Sequence, residues 1–335
     1  MKRKFLTIFV MVVALLLLSA ITLGESTTNA ATNLSQKHFT IGVCIPAADH
    51  GWTAGLIWWA KKSIAYWQQK YPNITFYLDL AANSSQQVSQ VQDLMAKGID
   101  ALVINAYTSA PLTPVVGEAF HKGIYVVSVD RGLTEPYQDV YIAGDNPGLG
   151  RVSAEYLVKA LNGKGNIVIL QGLPCEINTE RVNAFMDVIK NYPDIHVLAS
   201  QLANWSSQDG FNIMQTYLTK FPKIDAVWAQ DDDTLLGVLQ AYQASGRNDI
   251  KFFIGGAGSK IMIKKVMDHD PLVPIDVLYP DTLAADGISI AVMHLEGQMF
   301  EGFWNQQDMP SEIILPSTLI TPENAKNFYF PDSPY

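Results

Sequence analysis

The 335-residue sequence lacks the local patterns that mark most enzyme active sites and metal centres. It contains neither G-x-S-x-G nor H-E-x-x-H, and its six histidines show no metal-ligand spacing. The acidic run at 231–233 lacks the spacing of a calcium loop, and the glycine-rich run at 255–260 lacks that of a phosphate-binding loop. We therefore expect a protein that is not an enzyme and holds no metal or other cofactor.

Cysteine and positive charge are also scarce. The two cysteines, Cys44 in an apolar run and Cys175 in a loop, do not establish a disulfide framework, although they could pair in an oxidising compartment. We interpret both as free thiols. The formal net charge is −9, and no long run of Lys or Arg follows the first residues, which argues against nucleic acid and anionic membrane surfaces as partners.

The N-terminus has the composition of an export signal. Positive residues at 2–4 precede an apolar run over 5–23, and a small-residue stretch suits cleavage after Ala30 or Ala31. Cleavage after Ala30 would remove three cations and one anion, taking the net charge to −11, and would leave about 305 residues. We expect residues 1–30 to be a signal peptide and the product to be periplasmic. The alternative is an uncleaved membrane anchor, because the apolar run is nearly long enough to span a bilayer.

Short apolar runs alternate with longer amphipathic stretches along the rest of the chain. This alternation predicts doubly wound parallel α/β sheets, and ten strands are too many for one open sheet of this length, so we expect two lobes. The predicted strands are 39–45, 75–80, 101–104, 125–129, 140–142, 166–170, 196–202, 226–229, 251–254 and 273–277. The predicted helices are 53–70, 85–97, 112–121, 148–161, 180–191, 207–220, 233–244, 260–268 and 282–303. Ligands of such sheets bind outside the carboxyl ends of the strands.

Candidate binding residues follow three strands of the first half. His50 and Trp52 lie in the loop after the first strand, where an exposed indole can offer a flat face to a sugar ring or fold back into the core. Asn105 after the third strand can donate and accept, although Asn is also common in turns. Asp130 and Arg131 close a buried strand, a position that favours ligand hydroxyls over a surface ion pair.

The second half offers three more candidates. Arg181 stands at the start of a predicted helix, where a positive charge is unfavourable next to the positive end of the helix dipole. Ligand binding would explain an arginine at this position. Trp205 supplies a second aromatic ring in a loop. Three carboxylates follow the strand 226–229; one of them can cap the next helix, which leaves Asp231 as the ligand candidate.

The order of these candidates along the chain resembles that in the periplasmic sugar-binding proteins of the ribose/galactose type. These are the type I periplasmic binding proteins that serve ABC importers. The resemblance covers about 38–320. The stretches that carry it are Ala101-Leu-Val-Ile-Asn105, Val129-Asp-Arg131, Ile142-Ala-Gly-Asp-Asn146, Thr179-Glu-Arg181, Leu202-Ala-Asn-Trp205 and Ala226-Val-Trp-Ala-Gln-Asp-Asp232.

The resemblance implies two lobes joined by a three-segment hinge that close on a monosaccharide or sugar alcohol. The lobes would be 38–144 with 279–309 and 145–278 with 310–335, in a monomer that delivers its ligand to an inner-membrane ABC permease. A periplasmic sensor that feeds a histidine kinase or chemoreceptor is the alternative. The implied ligand-binding residues are His50, Trp52, Asn105, Asp130, Arg131, Arg181, Trp205 and Asp231.

One departure from the family pattern bears on specificity. After the predicted strand 251–254 the family usually has an aromatic residue and Asp, whereas this chain has Gly256 and Ala257. The family's late Gln contact falls near Tyr279, so we add Tyr279 to the expected ligand-binding residues. Asp276 is the other residue that could compensate for the missing carboxylate, and we expect a ligand other than plain ribose.

Overall fold

The structure is a computed structural model that describes residues 37–298 and 310–335. The predicted signal peptide at 1–30 and the end of the helix predicted over 282–303 lie outside the described residues. Within the two described ranges, no helix combines the length and the hydropathy needed to cross a membrane.

Strands and helices alternate along the described chain, as the sequence predicts. The strands are β1 (Phe39–Pro46), β2 (Ile74–Ala81), β3 (Ala101–Ile104), β4 (Tyr125–Val129), β5 (Val140–Gly144), β6 (Gly165–Gln171), β7 (Ile195–Leu202), β8 (Ala226–Trp228), β9 (Phe252–Ile254), β10 (Asp276–Val277), β11 (Glu312–Leu315) and β12 (Leu319–Ile320). The helices are α1 (Gly51–Lys70), α2 (Ser84–Ala96), α3 (Ser109–His121), α4 (Asn146–Ala160), α5 (Glu176–Ile189), α6 (Ser207–Lys220), α7 (Asp232–Ser245), α8 (Lys260–Met267) and α9 (Leu283–Leu295), followed by a 3-10 turn at Ala325–Asn327.

The strands form two separate parallel sheets. The first has the order β11-β5-β4-β3-β1-β2 and the second β7-β6-β8-β9, while β10 and β12 form a small antiparallel pair. Every residue of β3, β4, β8 and β9 is buried, because helices cover both faces of each sheet. The predicted fold class of two doubly wound α/β lobes is confirmed.

Three segments of chain connect the lobes and are hydrogen-bonded to one another. The amide of Asp145 donates to the Leu315 carbonyl at 2.9 Å, and the Ser317 hydroxyl donates to the Asp145 carbonyl at 2.8 Å. The Leu278 amide donates to the Thr318 carbonyl at 2.9 Å. The crossings therefore form one compact hinge rather than three independent linkers.

The predicted third crossing at residue 310 comes too early. Strand β11 pairs in parallel with β5, so the chain as far as Leu315 belongs to the first sheet and crosses only at 316–318. Strand β11 has only four residues, Glu312–Leu315, an apolar run too short to identify a strand by its periodicity. Strand β10 is also shorter than the predicted 273–277, because Pro274 has no amide hydrogen for a ladder.

Two local predictions can be compared with the helix boundaries. Helix α5 begins at Glu176, so Arg181 lies in its second turn, and the predicted helix start at 180 is wrong. Helix α1 begins at Gly51, which makes His50 the residue that precedes its first turn. Both cysteines are free thiols, as predicted, with Cys44 buried and Cys175 exposed.

Candidate functional site

The carboxyl ends of the two sheets face each other across a cleft that contains about 360 Å³ of space not filled by protein atoms. Eight of the nine predicted binding residues line this cleft, together with Ile177 and Ala257. The lining side chains are His50, Trp52, Asp130, Arg131, Ile177, Arg181, Trp205, Asp231, Ala257 and Tyr279. A wider groove between α4 and α5 is open to solvent and contains none of the predicted residues.

Asp130 and Arg131 are held apart at the end of β4. Asp130 has a left-handed backbone (φ 61°), a conformation that Asp tolerates better than most residues. Its carboxylate accepts a hydrogen bond from the Tyr279 hydroxyl at 2.7 Å, and Nη1 of Arg131 donates to the Tyr107 carbonyl at 2.6 Å. None of the ion pairs in the described chain joins Asp130 to Arg131. The carboxylate and the guanidinium thus point into the cleft as separate groups.

Asn105, the ninth predicted residue, is fully buried at the end of β3. Its backbone carbonyl accepts from Nε2 of Gln87 at 2.8 Å. Both polar atoms of its side chain are buried without a hydrogen-bond partner among the described residues. Burying an amide without hydrogen-bond partners costs free energy, which is recovered when another group bonds to its donor and its acceptor. The side chain of Asn105 can therefore still donate and accept hydrogen bonds.

The first turn of α1 brings two aromatic side chains to the cleft. The Trp52 indole is 6% exposed and donates to the Tyr279 carbonyl at 3.2 Å, which ties α1 to the hinge. The His50 ring stacks on Trp52 and Trp205 at centroid distances of 6.5 and 6.2 Å. Burial lowers the pKa of His50, but the hydrogen bond and charge of Asp49, 2.6 Å away, outweigh burial and raise it overall. His50 therefore favours its protonated form more than an isolated imidazole does.

Arg181 reaches the cleft from the second turn of α5. Its Nε donates to Oδ1 of Asn146 at 2.9 Å, and its guanidinium carbon lies 4.5 Å from the Tyr279 ring centre and 5.8 Å from that of Trp205. The expected opposition to the helix dipole does not apply at this depth in the helix. Stacking on two aromatic rings instead stabilises the buried charge of Arg181 at the cleft.

A buried network holds Trp205 in place. Its indole donates to Oε1 of Gln230 at 3.1 Å, and the same oxygen accepts from the Gly172 amide at 3.1 Å. Nε2 of Gln230 donates to Oδ1 of Asn178 at 3.0 Å. A Cβ at Gly172 would lie 2.1 Å from the indole nitrogen, so only glycine fits beneath the ring. The supporting residues Gln230, Asn178 and Gly172 were not among the sequence candidates.

Asp231 combines two tasks at the start of α7. One carboxylate oxygen accepts from the Thr234 amide at 3.1 Å, so Asp231 itself caps the helix, contrary to the expectation that a neighbouring acid would do so. Burial, followed by the charges of Asp233 and Asp232, raises the pKa of Asp231 to about 7. Near neutral pH the group can therefore be protonated, and a protonated carboxyl donates as well as accepts.

Of the two residues expected to compensate at 257, only Tyr279 lies in the cleft. Asp276 is buried beside Asp232, whose carboxylate accepts from the amides of Gly256 and Ser259 at 2.9 and 2.6 Å. Burial raises the pKa of both acids, and the charge of Asp276 raises that of Asp232 further, so the pair retains a proton. This pair supports the loop that carries Ala257 from behind.

The two lobes touch beside the site. The Gly51 amide at the start of α1 donates to Oδ2 of Asp233 at the start of α7, at 2.6 Å. A Cβ at Gly51 would lie 2.5 Å from the Tyr335 ring, and a Cβ at Gly55 would lie 2.2 Å from Oδ2 of Asp281. The two glycines form a notch on one face of α1 that allows this close approach.

Known sequences resemble this chain over much of its length. The sequence profile of a family described as periplasmic binding protein domain matches residues 41–299. The xylitol-binding protein of Mycolicibacterium smegmatis is 37% identical over 184 residues, or 54% of this chain and 53% of that protein, so the match spans about half of each. The ribose import binding protein of Salmonella typhimurium is 32% identical over 222 residues, covering 66% of this chain and 74% of that protein.

Solved structures show the same architecture. The fructose-binding periplasmic domain of a hybrid two-component system is 29% identical to this chain, with a TM-score of 0.72. The alignment covers 87% of this chain and 93% of that domain. The likeness therefore includes both lobes and the hinge, beyond the individual strand ends.

Proposed function

This chain belongs to the periplasmic binding protein family, and we propose that it is the solute receptor of an ABC importer. It captures a monosaccharide or sugar alcohol in the cleft by hinge closure and delivers it, as a monomer, to an inner-membrane permease. We assign 38–144 with 279–315 to one lobe of this receptor and 145–278 with 316–335 to the other, and the pairing of β11 with β5 supports the last boundary.

The observation that carries the proposal is the combination of groups in the cleft. Aromatic faces from Trp52 and Trp205 suit the C–H faces of a sugar. Asn105, buried at the end of β3, has an unused donor and acceptor that suit hydroxyl groups. The lining holds two carboxyl groups, Asp130 and Asp231, and two guanidinium groups, Arg131 and Arg181, so both acceptors and donors are available to ligand hydroxyls. A neutral ligand with many hydroxyl groups matches such a site better than an anion or a cation does.

Import is favoured over sensing by the relatives. The protein from Salmonella typhimurium is named for import, and the family is one of binding proteins. The sensory domain among the solved structures shares the fold and a sugar ligand, so the cleft alone does not separate the two roles. The relatives also differ in ligand size, because ribose and xylitol have five carbons and fructose has six.

A ligand screen followed by calorimetry tests the proposal. We expect the purified protein, lacking residues 1–30, to show a raised melting temperature with at least one pentose, hexose or sugar alcohol, because ligand binds only the folded state. Asp130→Asn keeps the size and the tolerance for positive φ but removes a carboxylate. It should weaken binding roughly tenfold or more, because buried ligand hydroxyls lose a charged acceptor.

Asp187→Asn is the matched control, because its carboxylate is exposed on α5 and contacts Lys190 outside the cleft. This variant should bind as the wild type does. Absence of binding to every member of the screen would contradict the proposed function. Unchanged affinity in Asp130→Asn would contradict the assignment of the site.

A further inference from the structure

We propose that Tyr279 sets the length of the ligand by walling off the side of the cleft next to Asp130, so that five-carbon sugars and alcohols are preferred to their six-carbon counterparts. The inference rests on the proposed function and assigns its specificity to one side chain. Tyr279 belongs to the hinge segment between β10 and α9, where the chain crosses from the second lobe to the first.

The Tyr279 ring lines the cleft and is packed against residues of both lobes. It is 2% exposed, its centroid lies 5.8 Å from that of Trp52, and the Arg181 guanidinium stacks on it at 4.5 Å. A Cβ at Gly144 would lie 2.3 Å from the ring edge, so the backbone of β5 packs closely against that edge. A ligand cannot displace this ring by a simple rotamer change, because the neighbours leave no space for it.

The hydroxyl of Tyr279 occupies an acceptor site that a ligand hydroxyl would otherwise use. It donates to Oδ1 of Asp130 at 2.7 Å, the geometry of a sugar hydroxyl on a carboxylate. Burial and the Asp130 charge raise the pKa of Tyr279 well above its usual range, so the phenol stays protonated and keeps donating. A ligand that extends past Asp130 toward the hinge would therefore collide with the Tyr279 ring.

Ligands that differ by one hydroxymethyl group probe this wall directly. We would measure calorimetric affinities for D-xylose and D-glucose, and for xylitol and D-sorbitol. For each pair that binds, the wild type should prefer the five-carbon member by about tenfold or more, the discrimination that shape exclusion of a small group supplies. Tyr279→Ala should shift that ratio toward the six-carbon member by about tenfold, because it removes the ring.

Two further variants separate shape from hydrogen bonding and guard against misfolding. Tyr279→Phe keeps the wall, so it should change both affinities in parallel and leave the ratio within about twofold. Tyr279→Leu fills part of the space left by the ring and should give an intermediate ratio, even if the Ala variant is unstable by thermal melting. A ratio that stays constant in both Ala and Leu variants would overturn the inference.

The remaining outcomes are also informative. A wild type that binds both members of a pair equally, or prefers the six-carbon member, overturns the role of Tyr279 while leaving the proposed receptor function intact. A wild type that binds no pentose, hexose or sugar alcohol contradicts the proposed function itself. The two failures are therefore distinguishable before any variant is made.

Discussion

The two halves of the cleft differ in how much of their hydrogen-bonding capacity is already used. On the first lobe, both polar atoms of the Asn105 side chain are buried without a partner among the described residues. On the second lobe, Arg181 is bonded to Asn146, and Trp205 belongs to a network with Gln230 and Asn178. Asn105 therefore has open capacity, whereas Arg181 and Trp205 are already positioned by bonds within the protein.

This difference suggests a division of labour. Donors and acceptors without partners gain the most hydrogen bonds from a ligand, because binding removes the free-energy cost of leaving them unpaired in the unliganded protein. Groups held by their own network gain less in new bonds but need no reordering when ligand arrives, which reduces the entropic cost of binding. We infer that Asn105 gains the most new hydrogen bonds from a ligand, and that Arg181 and Trp205 shape the space in which those bonds form.

Asn105→Ala is expected to have the largest effect on this comparison. It should weaken ligand binding by about 1–3 kcal/mol, because the ligand hydroxyls lose both a donor and an acceptor. The melting temperature of the unliganded protein should stay level or rise, since a buried amide without partners has been removed. Calorimetry and thermal melting of one preparation measure both quantities, and a destabilised apo protein would contradict the contrast.

Asn178→Ala is the matched change in the second half. Oδ1 of Asn178 accepts from the Gly172 amide and from Nε2 of Gln230, and its Nδ2 donates to Gln171. We expect it to lower the free energy of unfolding by about 1–2 kcal/mol, because buried partners are left unpaired. Binding should weaken only because the Trp205 ring is displaced. A loss of affinity as large as that of Asn105→Ala, with an unchanged free energy of unfolding, would contradict the contrast between the two halves.

The candidates on both halves could be predicted because they stand directly after apolar runs. Asp130 closes 125–129 and Asp231 follows 226–229, and a parallel sheet places such ends at one edge. The support beneath them could not be predicted in the same way. Gln230 meets Asn178 from 52 positions away and has a φ of 60°, which the residue type does not reveal.

The errors have the same origin in distant contacts. The start of α5 was predicted from a local charge pattern at 180, whereas the helix begins at Glu176. Asp276 was a candidate because of its place in the chain, and only the fold shows that it faces Asp232. Tyr279 was predicted through the family resemblance, but its bond to Asp130 joins residues 149 positions apart. Strand ends are local features, and the contacts that decide their roles are not.

A smaller effect concerns the acids behind the second half. Burial raises the pKa of Asp231 to about 7, and burial, with the charge of Asp231 as a smaller cause, raises that of Asp276 to about 7 as well, above the 3.8 of an unfolded aspartate. The folded state therefore holds protons that the unfolded state releases between about pH 4 and 7. Stability from these groups is present at low pH and is lost as the pH rises through 7.

Asp276→Asn tests whether these protons matter. Because the amide needs no proton to stay neutral, the variant should melt a few degrees above the wild type at pH 8 and show a smaller decline between pH 5 and 8. Differential scanning calorimetry across that range measures both differences. A variant that keeps the full pH dependence of the wild type would show that Asp276 does not contribute to it.

The contact between the two halves gives the smallest expected effect. Oδ2 of Asp233 accepts from the Gly51 amide across the cleft at 2.6 Å, a bond that exists only while the lobes are together. Asp233→Ala should therefore weaken every ligand by the same factor, about threefold, because a single bond of the closed state is lost. Asp187→Ala, which removes an exposed carboxylate on α5, is the control and should leave affinity unchanged. A loss that varies from ligand to ligand would instead place Asp233 among the groups that contact the ligand, and the second half of the cleft would then hold more open capacity than its internal network indicates.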